Sequence, residues 1–238
     1  MDLVRTGGRI LAIIREDRLL LAGLILLVCL DAGFLALHFG RELAMLGIQP
    51  FTELSDVRLS LLYTGSYGDQ YSRVLAAFVF GSHAFAFYSS REPAFGLASV
   101  AYLVIFIVAT FRLHHPAGEA LSAFLGFDAL SPSLSNRLGA ALVLGLVGSG
   151  ALAVVLWGSS RSSRGPAQVG LLMAASIAGL GLFSGGLRLV NVIMSVDAKS
   201  LSRNLMGIEE GAELFVLTAA LAVAVSAARY PRRLSIGQ

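Results

Sequence analysis

Long apolar runs separated by short polar segments make up most of this chain. A helix needs about 20 mainly apolar residues to cross a bilayer, because each residue rises 1.5 Å along the axis. Six runs meet this length or come close to it: 19–38, 74–90, 94–111, 138–157, 167–187 and 208–228. The pattern therefore predicts an all-α polytopic transmembrane bundle of about six spans. An alternative has five spans, with the short second run re-entrant.

The composition also indicates an integral membrane protein. Of the 238 residues, 56% are hydrophobic and 14% are charged, whereas soluble domains carry about a quarter charged residues. The basic residues are scattered and the sequence contains no phosphate-binding loop, so neither nucleic acid nor a nucleotide is an expected partner. The expected partner is the lipid bilayer, with other membrane subunits as an open alternative. The single cysteine, Cys29, excludes an internal disulfide.

The charge distribution predicts the topology. Ten of the 18 Lys and Arg residues, but only four of the 15 acids, lie on the side of the two termini. Cytoplasmic segments are rich in Lys and Arg, so both termini are predicted to be cytoplasmic, in a bacterial inner membrane. Residues 1–18 then form a cytoplasmic segment with an interfacial helix, and 229–238 form a basic cytoplasmic tail. Residues 19–228 form one transmembrane domain, with an external segment at 39–73.

The external segment contains three tyrosines spaced by four residues. One helical face would align Tyr63, Tyr67 and Tyr71, although Gly65 and Gly68 weaken the helix prediction. An aromatic anchor at the membrane interface is the favoured interpretation. A lid over a ligand is the alternative.

Two acids fall within the predicted bilayer. Asp31 stands 13 residues beyond Arg18, and Glu213 stands 16 residues before Arg229, which places them about 20 Å and about 24 Å above the cytoplasmic edge. Both depths lie inside a hydrocarbon core about 30 Å thick, toward its outer side. A charge at the bilayer centre costs about 2.5–3.5 kcal/mol on insertion scales, so such residues usually face the bundle and pair.

These acids belong to a predicted polar layer toward the outer leaflet, formed by the first, third, fifth and last spans. We expect Arg188 to pair with Glu210 or Glu213, and Asp31 to pair with Arg112 or a histidine. The layer comprises Asp31, His38, Arg112, His114, His115, Glu119, Arg188, Glu209, Glu210 and Glu213.

Glu209 and Glu210 also have a simpler interpretation. They would lie in the first turn of the last helix, where acids stabilise the positive N-terminal end by about 0.3–1 kcal/mol each. Asn204 could then serve as the cap. Glu213 lies one turn deeper, so a specific buried partner is expected for it.

His83 is predicted near the midplane of the second span. The favoured interpretation is a neutral imidazole that hydrogen-bonds to a neighbouring hydroxyl or carbonyl group. A proton relay and a pigment or haem ligand are alternatives, although the sequence offers no second midplane histidine for a bis-histidine haem site.

Small residues predict how the bundle packs. The fourth span contains Gly145, Gly148 and Gly150, and the fifth contains Gly181 and Gly185. Small residues let helix backbones approach closely in lipid. Spans four, five and six are therefore predicted to form the densest half of the bundle.

Three motifs occur together: "REDR" before the first span, "LHHPAGEAL" after the third and "IEEGAEL" at the start of the last. Together they resemble a large uncharacterised group of bacterial polytopic membrane proteins of about six helices. The resemblance implies a Glu-Glu-Gly-x-Glu last helix, matched here by Glu209, Glu210, Gly211 and Glu213, and a third-helix region matched by His114, Gly118 and Glu119. Such a set looks like metal ligands.

The match to this group is partial. Val108 and Ala109 stand where the group has an Asp pair, and Arg188 and Asn191 stand where it has Asp and His. If the group's site binds a metal, this chain lacks several ligands. A buried arginine would then turn the polar layer into a structural salt bridge.

The predicted function is a non-enzymatic subunit, assembly factor or scaffold, held together by its polar layer and without an open cavity. No cofactor and no catalytic residue are predicted. One alternative is a zinc-dependent intramembrane hydrolase, for which three protein ligands and an open position are needed. Its weak ligand candidates are His114, Glu119 and Glu210. The other alternative is a proton-coupled transporter that uses Asp31 and Glu213.

Overall fold

Eight α-helices form the part of the chain that the computed structural model describes, which covers residues 2–49, 51–61, 66–127, 132–187, 190 and 199–230. Two short 3₁₀ segments, Phe51–Leu54 and Val57–Leu59, connect α2 to α3, and a π-helical turn, Leu182–Leu187, follows α7. The described residues contain no strand, in agreement with the predicted all-α class. The helices are α1 Asp2–Glu16, α2 Arg18–Met45, α3 Tyr67–Ser90, α4 Pro93–Thr110, α5 His114–Phe124, α6 Pro132–Ser160, α7 Arg164–Gly181 and α8 Lys199–Arg229.

Five of these helices are long and apolar enough to cross a membrane. They are α2, α4, residues Leu134–Ser160 of α6, α7 extended to Ser184, and residues Met206–Arg229 of α8. They coincide with the first, third, fourth, fifth and last predicted spans. The structure therefore confirms a helical bundle with several candidate membrane spans.

The second predicted span corresponds to α3, which is long but less apolar. Its 24 residues extend over about 36 Å. The helix begins with polar residues, among them Asp69 and Arg73, and it carries serines at its end. Even so, α3 packs against α4 and α8, and Leu75, Val79 and Ala86 are fully buried. One face of α3 is therefore packed into the bundle, while Phe78, Phe85 and Tyr88 are exposed on the other side.

The helix α8 lies at the centre of the bundle. In its apolar window 56% of the residues are buried, compared with 22% in α6 and 6% in α2. Its Leu214, Ala220 and Ala224 pack into the main hydrophobic cluster with Tyr102 of α4 and Met173 of α7. The predicted dense half of spans four, five and six is therefore wrong in part, because α8 packs mainly against α3, α2 and α7, whereas α6 packs against α4, α5 and α7.

Four of the five predicted glycines do not bring helices together, and the surroundings of the fifth, Gly185, lie outside what the structure describes. A Cβ atom at Gly145, Gly148, Gly150 or Gly181 would meet no atom within 4 Å, so these glycines face open space rather than a neighbouring backbone. The close approaches occur at other glycines, where an added Cβ would overlap a neighbour: Gly118 and Gly139 between α5 and α6, Gly170 against α6, and Gly207 and Gly211 between α8 and α2.

The helix α1 covers most of the segment predicted as an interfacial helix, and it docks on the bundle. Ile10, Ile13 and Ile14 are buried in a cluster with residues of α4, α7 and α8. Thr6 also donates a hydrogen bond to the side chain of Gln168 in α7. The face of α1 that carries these three isoleucines is thus covered by the other helices.

Asp17 links the junction of α1 and α2 to the end of α8 through hydrogen bonds and an ion pair. Its carboxylate accepts hydrogen bonds from the backbone amides of Leu19 and Leu20, at 3.1 Å each, and so caps α2. The hydroxyl of Tyr230 donates a further hydrogen bond at 2.7 Å, and Arg229 forms an ion pair at 3.0 Å.

These contacts predict a pH-dependent stability. The hydrogen bond from Tyr230, then the amide of Leu20 and the charge of Arg229, lower the pKa of Asp17 below its usual 3.8. A lowered carboxyl pKa stabilises the fold above the unfolded-state pKa, and this contribution disappears as pH falls through the folded-state pKa. We expect Asp17→Asn to melt at a lower temperature than wild type at pH 7, with the difference shrinking below pH 3.8. Circular dichroism melting curves would show this, and an unchanged difference at low pH would contradict it.

Candidate functional site

A cavity of about 460 Å³ lies between α3, α4, α6, α7 and α8. It sits at the end of the bundle where α4 finishes and where α3, α6 and α8 begin, and this end of the cavity is called its mouth. Farther along the helices the lining is apolar and includes Ile105, Phe106, Leu144, Val147, Ile177 and Leu217.

The mouth of the cavity is polar and charged. Five residues of the predicted polar layer line it: Arg112, His114, His115, Glu210 and Glu213. The other polar lining residues were not predicted from the sequence: Asp69, Ser72, Arg73, Asn136, Arg137 and Ser184. Four of these residues lie in the first turns of long helices at the same end of the bundle: Asp69, Arg73, Asn136 and Arg137. This shared position is the feature of the sequence from which they could have been predicted.

The remaining members of the predicted layer lie elsewhere. Asp31, His38 and Glu209 are fully buried outside the cavity lining, and Glu119 is exposed on α5. Arg188 lies outside the described residues, so its predicted pairing with Glu210 or Glu213 stays a prediction. Glu210 and Glu213 themselves take part in polar interactions.

The interpretation of Glu209 and Glu210 as helix-end acids is wrong. The last helix begins at Lys199, not near residue 208, so both acids lie well inside α8 and Asn204 is not its cap. Glu209 is 1% exposed. The macrodipole effect fades within the first turn of a helix, and it cannot account for these positions.

The predicted pairing of Asp31 with Arg112 or a histidine is also wrong. Neither carboxylate oxygen of Asp31 has a hydrogen-bond partner within 3.5 Å among the described residues. The groups that face it are the hydroxyls of Thr218 in α8 and Tyr71 in α3. Arg112 lies at the cavity mouth instead, beyond the end of α4.

The three tyrosines of the external segment have separate environments. Tyr63 lies outside the described residues, and Tyr67 begins α3 with 47% of its surface exposed. Tyr71 packs its ring against Phe34 at 5.0 Å between centroids, and its hydroxyl donates to the carbonyl of Leu27 at 3.4 Å. Tyr71 is therefore a packing residue between α2 and α3 rather than an interfacial anchor.

His38 joins α2 to the 3₁₀ connection and to α8. Its Nδ1 lies 3.4 Å from both the hydroxyl of Ser60 and the backbone amide of Leu61. Its Nε2 faces Gly207, where an added Cβ would overlap the ring. His38 thus fills the contact between α2 and α8.

His83 lacks the hydrogen bond predicted for it. It is fully buried, and neither ring nitrogen has a hydrogen-bond partner among the described residues. The ring stacks on Phe95 at 6.2 Å and lies 6.3 Å from the ring of Tyr102. Two aromatic side chains of α4 surround the imidazole where a polar partner was expected.

The adjacent histidines occupy the first turn of α5, and their ring centroids lie 4.3 Å apart. Among the metal candidates, His114 and Glu210 line the cavity and Glu119 does not. Within the described ranges, no three His, Cys, Asp or Glu side chains are grouped so that they could hold a metal ion.

Arg112 reaches the cavity mouth from an unusual backbone conformation. Its φ is 52°, in the left-handed region that glycine normally occupies after a helix. The amide of Arg112 donates to the carbonyl of Ala109 at 3.3 Å, and that of Leu113 donates to Val108 at 3.1 Å. These two bonds form a Schellman motif, which ends α4 and directs the chain into α5.

Arg73 is neutralised within its own helix. Its guanidinium forms an ion pair with the carboxylate of Asp69 at 2.7 Å, one turn earlier in α3. By contrast, Arg112 and Arg137 form no ion pair with any described residue. The cavity mouth therefore holds two arginines that form no ion pair with a described residue, in the same lining as Glu210 and Glu213.

Comparison with family models, with curated proteins and with solved structures finds no match for this chain. The resemblance to a bacterial group with a Glu-Glu-Gly-x-Glu last helix therefore stays a prediction.

Proposed function

We propose that this chain is a six-span integral membrane protein that binds one lipid-like amphiphile in the cavity between α3, α4, α6, α7 and α8. The observation that carries the proposal is the cavity itself. Its volume of about 460 Å³ falls in the range of small-molecule sites, about 300–1,000 Å³. A cavity with an apolar lining and a charged mouth matches a molecule with a hydrocarbon tail and a polar head.

The cavity changes the function predicted from the sequence. A scaffold held together by internal ion pairs was expected to have no open cavity, and the bundle has one. A non-enzymatic role remains the proposal, with ligand binding in place of a purely structural polar layer. No described group of side chains favours the hydrolase.

The topology is part of the same proposal. The helix α3 supports a sixth span because it is about 36 Å long and packs between α4 and α8. Excess Lys and Arg on the side of the termini favours a cytoplasmic location for both. In a bacterial inner membrane, the cavity mouth would then lie at the outer leaflet.

Gly148 offers a direct test because it lines the cavity and an added Cβ would meet no atom within 4 Å. We expect Gly148→Phe to fill part of the cavity and to reduce the amount of tightly bound lipid about tenfold, a loss of about 1.4 kcal/mol of binding. Native mass spectrometry of protein released from detergent micelles would count the bound lipids per chain.

Gly145→Phe is the matched control. Gly145 lies one turn earlier in the same helix, is exposed, and an added Cβ there would also meet open space. Both substitutions replace a helical glycine, so any gain in helix propensity is shared. We expect Gly145→Phe to keep one bound lipid per chain. Equal lipid binding by the two variants would refute the proposed function.

A further inference from the structure

We infer that the cavity selects a ligand with an anionic phosphate headgroup, which Arg112 and Arg137 bind at the mouth. This inference rests on the proposed function and names the class of ligand. We base it on the arrangement of charges around the mouth, because an apolar cavity alone would bind any acyl chain.

The charged groups of the mouth are not equivalent. Asp69 neutralises Arg73 at 2.7 Å, and Glu210 and Glu213 are engaged in polar interactions of their own. Arg112 and Arg137 line the same cavity and have no ion pair within the described part of the chain. Arg112 and Arg137 are therefore the lining cations that no described acid pairs with, and an anionic headgroup would pair with them.

The position of Arg112 fits a headgroup site. It directly follows α4, whose last turns supply the apolar wall at Ile105, Phe106 and Val108. A phosphate bound there would place the attached hydrocarbon tail along this wall. Guanidinium groups bind phosphate through two parallel N–H donors, and α6 brings Arg137 to the same mouth.

The left-handed conformation of Arg112 is not by itself the signal. Arg91 adopts the same conformation at the end of α3, with φ of 60°. Its guanidinium stacks on Tyr88, and Arg91 does not line the cavity. Arg91 shows that the fold tolerates arginine at such a position, and it provides a matched control for Arg112.

The test uses the full-length protein, stripped of lipid and then titrated with two lipids that each carry one oleoyl chain. One is the lyso form of phosphatidylglycerol, with a net negative headgroup, and the other is the lyso form of phosphatidylcholine, whose choline would add a cation beside the two arginines. Native mass spectrometry gives each Kd. We expect lysophosphatidylglycerol to bind about tenfold more tightly or better. Arg112→Gln and Arg137→Gln should each remove most of this preference, and Arg91→Gln should retain it.

A soluble anion is tested with sn-glycerol 3-phosphate as competitor. A site that needs both headgroup and tail predicts no displacement of lysophosphatidylglycerol at equal concentration. Displacement would identify the ligand as a soluble phosphate and would overturn the lipid headgroup inference. Equal affinity for the two lipids, or an unchanged preference in both Gln variants, would overturn it as well.

Different results would contradict the headgroup inference and the proposed function. If both lipids bind equally and Gly148→Phe weakens both, the headgroup inference is wrong and the proposed function stands. If Gly148→Phe and Gly145→Phe bind both lipids like wild type, the cavity is not the lipid site and the proposed function is wrong.

Discussion

Replacing Gly139 by alanine is expected to lower the free energy of unfolding by about 3 kcal/mol, at the upper end of the usual cost of overpacking. The added Cβ would overlap the carbonyl oxygen of Gly118 and the hydroxyl of Ser122, and it would lie 2.8 Å from the carbonyl carbon of Gly118. Two of these atoms belong to the α5 backbone, which cannot rotate away as a side chain could. The helices would have to separate, and this would strain the hydrogen bond from Ser122 to the carbonyl of Ser135, at 2.7 Å.

Gly145→Ala is the control for this substitution. It changes the same residue type in the same helix, at a position where a Cβ meets no atom within 4 Å. Alanine is favoured over glycine in a helix by about 1 kcal/mol, so this variant should melt at or above the wild-type temperature. Circular dichroism melting in detergent would compare the two. Similar melting temperatures would show that α5 and α6 are not in backbone contact.

The second large effect is expected at Gly207, where α8 meets His38 of α2. Alanine there would overlap Nε2 and Cδ2 of the imidazole. The ring has little room to retreat because Ser60 and Leu61 contact its other nitrogen at 3.4 Å. We expect Gly207→Ala to cost about 2 kcal/mol of stability.

Two further variants identify the cause of this loss. At Gly211, one turn later, an added Cβ would meet only the end of the Leu35 side chain, at 2.6 Å, so Gly211→Ala should cost less. Combining Gly207→Ala with His38→Ala removes the clashing ring. The double variant should therefore be more stable than the sum of the two single effects predicts. Simple additivity would mean that the two residues are not in contact.

The sequence predicted the helices well where apolar character alone decides them. Five predicted spans coincide with five membrane-compatible helices, because a long run of apolar residues has one stable form in lipid. The remaining predicted span, the second, corresponds to α3. Its composition does not decide whether it crosses the membrane, since its polar first turn and internal His83 lower its apolar content. Its position between α4 and α8 comes from tertiary packing, which a linear pattern does not show.

Helix boundaries and contacts were harder to predict. The last helix begins at Lys199, in a polar stretch that looks like a loop, so Glu209 and Glu210 were assigned to a first turn. Glycine spacing in α6 indicated close packing, but a spacing does not tell whether the small face meets a helix, lipid or a cavity. Gly145 and Gly148 face open space, whereas Gly139 meets a backbone.

The candidate site could be predicted only in part, for a related reason. The predicted depth of each residue in the bilayer placed four lining residues at one end of the bundle: Arg112, His114, Glu210 and Glu213. Depth does not give the rotation of a helix, so Asp31 was expected beside Arg112 and instead faces α8 and α3. Arg137 lies just before the predicted fourth span, and its place at the cavity depends on α6 beginning earlier, at Pro132.

The most direct measurement is the structure of the protein extracted from its membrane into polymer-bounded lipid discs, without detergent, and imaged with a rigid antibody fragment bound. The account predicts one elongated density in the cavity, with its head between Arg112 and Arg137 and its tail running toward Gly148. A cavity closed by side chains, or one that holds only ordered water, would contradict it.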